Sequence, residues 1–306
     1  KDNPKYWDDF IKNLIQENPD KNGEEIFWIT YKKIIELGSK CFLPAWEKSK
    51  HAYGYISGQV DPRNCYSADL MLTQALDIAQ IAPNVMIKIP GTCEGYRVIG
   101  ELTAKGIATN NTLAFTVPQF LACMEAVQKG LEGAKKEGVN LFRWRSVITH
   151  MSARYGTLGD LKTQAESRGI DLSEADIRWA ELSIFKRAYR ILQERGHPSK
   201  MLMCSMRISP PMEDGSQASW HIEKIAGGNV VFTCPPNYIE ELMKVEDRLK
   251  PFNPEAIYED PPKATLEKLL SLPYFVQAYE PDEMTREAFN KQGALVATAA
   301  EFSKAT

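Results

Sequence analysis

Short apolar runs closed by turn residues recur along this chain, and each is followed by a longer stretch whose apolar residues fall at helical spacing. A run of that length bounded by turn signals reads as a strand, and strands alternating with helices at this interval imply parallel βα units. Strands are expected at residues 53–60, 84–92, 107–115, 146–149, 201–205 and 229–233. The intervening helices are expected at 67–81, 94–105, 118–137, 173–195, around 216–224, and 236–245; Gly106, Gly138 and Gly196 stand where three of them should end. Two further amphipathic helices precede the first strand, at 6–17 through Trp7, Phe10, Ile11, Leu14 and Ile15, and at 24–37 through Ile26, Ile29, Ile34 and Ile35.

A closed (β/α)8 TIM barrel needs eight strands. The chain supplies six, so the simplest repair places two strands upstream of Lys1, with an open six-stranded sheet as the rival architecture. After Arg248 the chain turns proline-rich, with Pro251, Pro254, Pro261 and Pro262, and ends in helical stretches at 264–272 and 285–303. Neither is long enough to build its own core. The expectation is one α/β domain over 1–306, with barrel units to about 248 and the remainder packed on the barrel.

Lysine and arginine number 37 against 40 acidic residues, a net charge of −3, which leaves no electrostatic footprint for nucleic acid. Nothing resembles a membrane span of about 18 apolar residues, and the polar opening Lys1-Asp2-Asn3-Pro4-Lys5 does not read as a signal peptide. The six cysteines lie far apart with no Cys-x-x-Cys, and the four histidines keep unrelated spacings. Reduced thiols, no metal, no cofactor and a cytoplasmic setting are therefore expected. A homodimer is the common state for an enzyme of this size.

The stretch Asn84-Val85-Met86-Ile87-Lys88-Ile89-Pro90-Gly91-Thr92 carries the chemistry. Four of the five residues after the Pro83-Asn84 turn are apolar, and the exception is Lys88, near the strand's C-terminal end. Burial there disfavours the ammonium and lowers its pKa, and a neutral amine is what attack on a carbonyl requires. A lysine snorkelling to the rim of a sheet fits the same nonapeptide. Other polar residues fall at expected strand ends: Gln59 and Asp61, Thr92, Asn110 and Thr112, Thr149 and Arg154, Ser205 and Arg207. In a barrel these converge on one face, where an amine, amides, hydroxyls and two guanidinium groups suit a sugar phosphate. Singly, each has a plainer reading: exposed arginines, strand-end groups satisfying the backbone, and a turn at Asp61-Pro62.

The block 84–95 followed by Gly106-Ile107-Ala108-Thr109-Asn110-Asn111-Thr112-Leu113-Ala114-Phe115-Thr116-Val117-Pro118-Gln119 resembles the transaldolase family, spacing included. So do Gly58-Gln59-Val60-Asp61-Pro62-Arg63, residues 146–154, Cys204-Ser205-Met206-Arg207, and the tail from Tyr279-Glu280-Pro281-Asp282-Glu283-Met284. The resemblance implies a (β/α)8 barrel and a transferase of the pentose phosphate pathway. It would move a dihydroxyacetone unit from fructose 6-phosphate or sedoheptulose 7-phosphate to an aldose phosphate. On the same basis Lys88 forms the Schiff base, Asn110 holds the intermediate, Thr112 positions the catalytic water and Thr149 lines the sugar site. Arg154, Ser205 and Arg207 grip the phosphate.

Three departures bear on that reading. Gln59 stands where the family usually has its acid/base glutamate, as in the fructose-6-phosphate aldolase branch, and glutamine holds a water without exchanging a proton with it. An aspartate and an asparagine that the family takes from its first two strands would lie upstream of Lys1. Thr149 replaces a common serine, and Met151 an aromatic that forms the wall deciding between transfer of the unit and its release to water. The alternatives are accordingly an aldolase-like lyase, or a weakened barrel retained as a sugar-phosphate binder.

Overall fold

A computed structural model describes residues 3–209, 219–249 and 251–306. Helix α1, Pro4–Glu17, buries none of its residues, while α2, Gly23–Lys48, opens on a capping box in which Asn22 and Glu25 each take the other's backbone N–H. The second helix runs past the expected end at residue 37, through Gly38 and Pro44. Gly38 marks the contact with the first strand, since a Cβ there would meet Ile56 Cδ1 at 2.3 Å.

The βα units follow: β1 Ile56–Gln59, α3 Ala68–Ala79, β2 Val85–Pro90, α4 Cys93–Ala104, β3 Thr109–Ala114, α5 Val117–Lys136 and β4 Ser146–Met151. Two short helices that periodicity did not reveal, α6 Ser152–Leu158 and α7 Leu161–Ser167, precede the long α8 Glu174–Glu194. Then come β5 Lys200–Cys204, α9 Trp220–Glu223, β6 Val230–Phe232 and α10 Pro236–Lys244. Of the helix expected around 216–224, residues 216–218 lie outside the described residues.

The six strands form one parallel sheet in the order β1-β2-β3-β4-β5-β6. A doubly wound open sheet reverses its strand order at a switch point, and this one never does. It also curves. Neighbouring strands lie about 4.8 Å apart, yet Asn110 on β3 reaches across β2 to donate to Ser57 Oγ on β1 at 3.1 Å. Side chains two strands apart meet in this way on the concave wall of a barrel. The chain is thus an α/β fold of TIM-barrel type, with six parallel strands described and β1 and β6 at the sheet's edges. On the convex face Ile87, Ile89, Ile148, Met201 and Met203 are wholly buried beneath the helices.

The C-terminal part shares that core. Helices α11 Lys263–Leu270 and α12 Pro273–Tyr279 contribute Leu269 and Phe275, which join one cluster with Ile148 and Phe185. Buried Lys186 on α8 ties the preceding loop down, donating to the Ala256 and Glu259 carbonyls at 2.6 and 2.9 Å, and burial pushes its pKa down to about 8. The single helix expected at 285–303 is two, α13 Arg286–Phe289 and α14 Gly293–Ala305. Between them Asn290 accepts from the Cys93 N–H at 3.0 Å and donates to Glu94 at 2.8 Å, while Gln292 caps α14. The break therefore anchors the tail beside the exit of β2. Among the described residues no helix is long and apolar enough to cross a membrane.

Candidate active site

Gln59, Lys88 and Asn110 stand side by side in the register of β1, β2 and β3. Register neighbours in a parallel sheet point to the same face, and Asn110 meets Ser57, two residues before Gln59, on the concave wall. All three side chains therefore enter the barrel's interior. In β2 every residue but Lys88 is buried, and Lys88 itself is partly so. Its ammonium makes no hydrogen bond or ion pair with any described residue, and desolvation pushes its pKa down, opposed only by the Cys204 thiol. Burial in turn pushes the Cys204 thiol up, while the charges of Lys88 and Arg154 pull it back. Lys88 is a basic group in a place that favours its neutral form.

Asn110 is held at both ends of its amide. Its Oδ1 accepts from Thr149 Oγ1 at 2.7 Å, and its Nδ2 donates to Ser57 at 3.1 Å. Thr112 lies one turn of the pleat further along, with its hydroxyl 3.9 Å from Met151 Sδ on β4. The strand is irregular there: the β3–β4 register shifts between Asn111 and Ala114, and Leu113 takes a left-handed φ of 53°. A bulge of this kind re-aims the adjoining side chain. Gln59 donates its backbone N–H to the Tyr31 hydroxyl at 2.7 Å, which fixes the strand end that carries it.

The guanidinium groups sit on the rim. Arg154, on α6, pairs with Glu301 of α14 at 2.5 Å, and its guanidinium carbon is 5.3 Å from the Phe302 ring centroid. Arg207, beyond β5, donates to the Ala153 carbonyl at 3.2 Å and to Glu181 at 3.1 Å, with Glu174 at 3.5 Å. That bond to Ala153 places Arg207 beside the residue preceding Arg154. Ser205 adopts φ 57°, a left-handed conformation uncommon outside glycine, with its hydroxyl 3.8 Å from Cys204 Sγ.

Eight of the polar strand-end residues thus gather at one end of the sheet: Gln59, Lys88, Asn110, Thr112, Thr149, Arg154, Ser205 and Arg207. Two do not join them. Thr92 is wholly buried as the N-cap of α4, accepting from the Gly95 N–H at 3.0 Å and donating to the Cys65 carbonyl at 2.7 Å. Asp61 is occupied by the Arg63 guanidinium and backbone N–H, the turn that Asp61-Pro62 suggests. Among the described residues no cluster of three or more His, Cys, Asp or Glu side chains could hold a metal ion. Ser57, Cys204, Glu181 and His221 belong to the site's surroundings without having stood out in the sequence. The one available signal was in α8, where Glu174, Arg178 and Glu181 recur at helical spacing among the apolar residues Ile177, Trp179, Ala180 and Leu182.

A family model described as Transaldolase/Fructose-6-phosphate aldolase matches residues 4–292. A transaldolase of Saccharopolyspora erythraea is 30% identical over 193 residues, which is 60% of this chain and 52% of that protein. A transaldolase of Mycobacterium tuberculosis is 35% identical over 126 residues, 40% of this chain and 34% of that one. A transaldolase of Mycobacterium ulcerans is 36% identical over 116 residues, 37% and 31% respectively. The chain spans about half or less of the length of these curated relatives.

Proposed function

The chain belongs to the transaldolase/fructose-6-phosphate aldolase family, and on that premise we propose that it is a transaldolase-like transferase working through a Schiff base on Lys88. The neutral amine attacks the C2 ketone of fructose 6-phosphate or sedoheptulose 7-phosphate, and loss of water leaves an imine. Protonation of that imine makes it an electron sink. When the C4 hydroxyl passes its proton to the water released as the imine forms, the C3–C4 bond breaks, its electrons move into the iminium, and an aldose phosphate leaves. The dihydroxyacetone unit stays on Lys88 as an enamine until the aldehyde of an acceptor aldose phosphate takes it, and hydrolysis then frees the amine. The pentose phosphate pathway and a cytoplasmic setting belong to the same reading.

In this reading Asn110, its amide orientation fixed by Thr149 and Ser57, holds the intermediate's hydroxyl groups, and Thr112 and Gln59 position the water. Thr149 lines the sugar site, and Arg154, Ser205 and Arg207 hold the phosphate, with guanidinium forks matched to its oxygens. The observation that carries the proposal is the state of Lys88: inside the barrel, free of any carboxylate among the described residues, and pushed toward its neutral form by desolvation. Gln59 favours a second reading, a fructose-6-phosphate-aldolase-like lyase that releases free dihydroxyacetone, because a glutamine orients a water without taking its proton.

Borohydride added during incubation with fructose 6-phosphate tests both. A mass gain on the peptide containing Lys88, absent in K88A, is expected; trapping that survives the substitution would assign the chemistry to another lysine. Transfer to erythrose 4-phosphate, measured against release of dihydroxyacetone, then divides transferase from lyase.

A further inference from the structure

Arg207 is the proposed phosphate ligand whose own support is most deeply buried. Glu181 on α8 is fully buried, and so is His221 on α9. The Glu181 carboxylate divides its oxygens: Oε1 accepts from Arg207 Nη2 at 3.1 Å, and Oε2 accepts from His221 Nε2 at 2.7 Å and from Arg178 Nη1 at 3.4 Å. The far nitrogen of the same imidazole, His221 Nδ1, accepts the backbone N–H of Arg207 at 3.3 Å. With Nδ1 an acceptor, the proton sits on Nε2 and points at Glu181. One carboxylate therefore fixes Arg207 twice, directly at the guanidinium and through His221 at the main chain.

The surroundings fit that purpose. Arg178, 1% exposed, also pairs with Glu174 at 2.9 Å, and its Nε lies 3.4 Å from Ser209 Oγ. Burial pulls its pKa below the ordinary arginine range, Glu181 and Glu174 oppose this, and Arg207 adds to it, so two guanidinium groups share the Glu181 charge. A buried cluster of this kind is a poor source of net stability, because desolvation offsets much of the attraction. Held in full, it confines a long side chain to one geometry. Gly156 of α6 makes room for it: a Cβ at that position would come within 2.2 Å of Glu181 Oε1 and 2.8 Å of Ile177 Cγ2. Against the five N–H donors of a guanidinium, Arg207 directs bonds among the described residues to Ala153, Glu181 and Glu174 only, and its Nε–H has no partner among them.

We infer that Glu181, acting through Arg207 and His221, is a positioning residue for recognition of the substrate's phosphoryl group, an inference that rests on Arg207 being a phosphate ligand. Glu181 touches no substrate. Its effect should fall on substrates that carry the phosphate and spare those that do not.

The test compares borohydride trapping on Lys88 with fructose 6-phosphate and with dihydroxyacetone, which offers the ketone without the phosphate. Half-saturating concentrations are read for wild type, R207A, E181Q and G156A. Loss of a charge-assisted hydrogen bond predicts a rise of roughly tenfold or more for fructose 6-phosphate in R207A and E181Q, and a change within about twofold for dihydroxyacetone. G156A, which crowds Oε1 and the Ile177 methyl without removing the carboxylate and places a good helix former in α6, should raise the fructose 6-phosphate value alone by about threefold or more. It carries the test if E181Q does not fold. A merely structural role for Glu181 would shift both substrates together and overturn the inference. R207A selective and both other variants unselective would sink the inference while sparing the phosphate site. R207A unselective would remove the premise and the inference with it, and a wild type that traps neither compound would overturn the catalytic reading as a whole.

Discussion

The bond between Thr149 and Asn110 sets the Asn110 amide beside Lys88, and T149V removes it without changing the side chain's shape. Thr149 is 1% exposed and Asn110 6%, so water cannot replace the hydroxyl freely. Asn110 Oδ1, which accepts from Thr149 at 2.7 Å, is then a buried acceptor with no donor. Leaving such a group unsatisfied costs about 1–3 kcal/mol, and valine offers no compensating burial because threonine already fills the space. The remaining bond, from Nδ2 to Ser57 at 3.1 Å, does not stop the amide from turning about its last torsion. A misplacement of an ångström in a positioning group can cost on the order of 100-fold in rate, so trapping on Lys88 should slow by roughly 10- to 100-fold. T149S separates the causes: it keeps the hydroxyl and loses one methyl, predicting a loss of about 0.5–1.5 kcal/mol in stability with a nearly unchanged trapping rate. Urea unfolding gives the first quantity and the rate of mass gain on the Lys88 peptide the second. If T149V unfolds within about 0.5 kcal/mol of wild type and traps at the wild-type rate, the amide does not depend on Thr149 and the reasoning is refuted.

Lys88 gives a pH signature. Its folded pKa is depressed, so between that value and the unfolded value of about 10.4 the unfolded chain binds more protons, and stability rises with pH across that window. K88M removes the desolvated ammonium, so its advantage in melting temperature over wild type should be largest near neutrality and shrink toward pH 10; parallel curves would show that the amine is not desolvated. Q59E supplies a group able to take a proton beside Lys88, and turnover should rise by about tenfold or more given the usual worth of general acid–base catalysis; an unchanged or lower rate would mean the position serves another purpose. Glu301 is half exposed where it pairs with Arg154. An ion pair of that kind is worth about 0–1 kcal/mol, so E301A should leave stability within that range and lower the half-saturating fructose 6-phosphate by up to about fivefold, and a rise would show that Glu301 holds Arg154 in its working position.

The elements that a linear pattern can specify were legible, because period and punctuation are local properties. The runs around Ile87, Ile148 and Met201 became strands β2, β4 and β5, and Lys88 stands out as the one lysine or arginine in the interior of these strands, Lys200 standing at the start of β5. Short helices without a full amphipathic repeat, α6 and α7, were not legible, nor was the break at Asn290–Gln292, which follows from bonds to Cys93, Glu94 and Tyr274 elsewhere in the chain. That the block around Lys88 and the Asn-x-Thr block share one face follows from strand ends in a barrel and their roles from a family resemblance, whereas Thr92, which shares their neighbourhood in sequence, is a helix cap.

By itself the sequence determined the class of fold and singled out the lysine of the proposed reaction, since strand–helix alternation and a lysine in an apolar strand are written in consecutive residues. Only the tertiary structure decided which strand-end groups meet: that Asn110 is gripped from β1 and β4, that Arg154 answers to Glu301, and that Arg207 answers to Glu181 and His221. These partners lie between 14 and 147 residues apart along the chain. Hydrogen bonds and desolvation act over a few ångströms of space, and no pattern of neighbours along the chain encodes which distant groups the curvature of the sheet will bring within that reach.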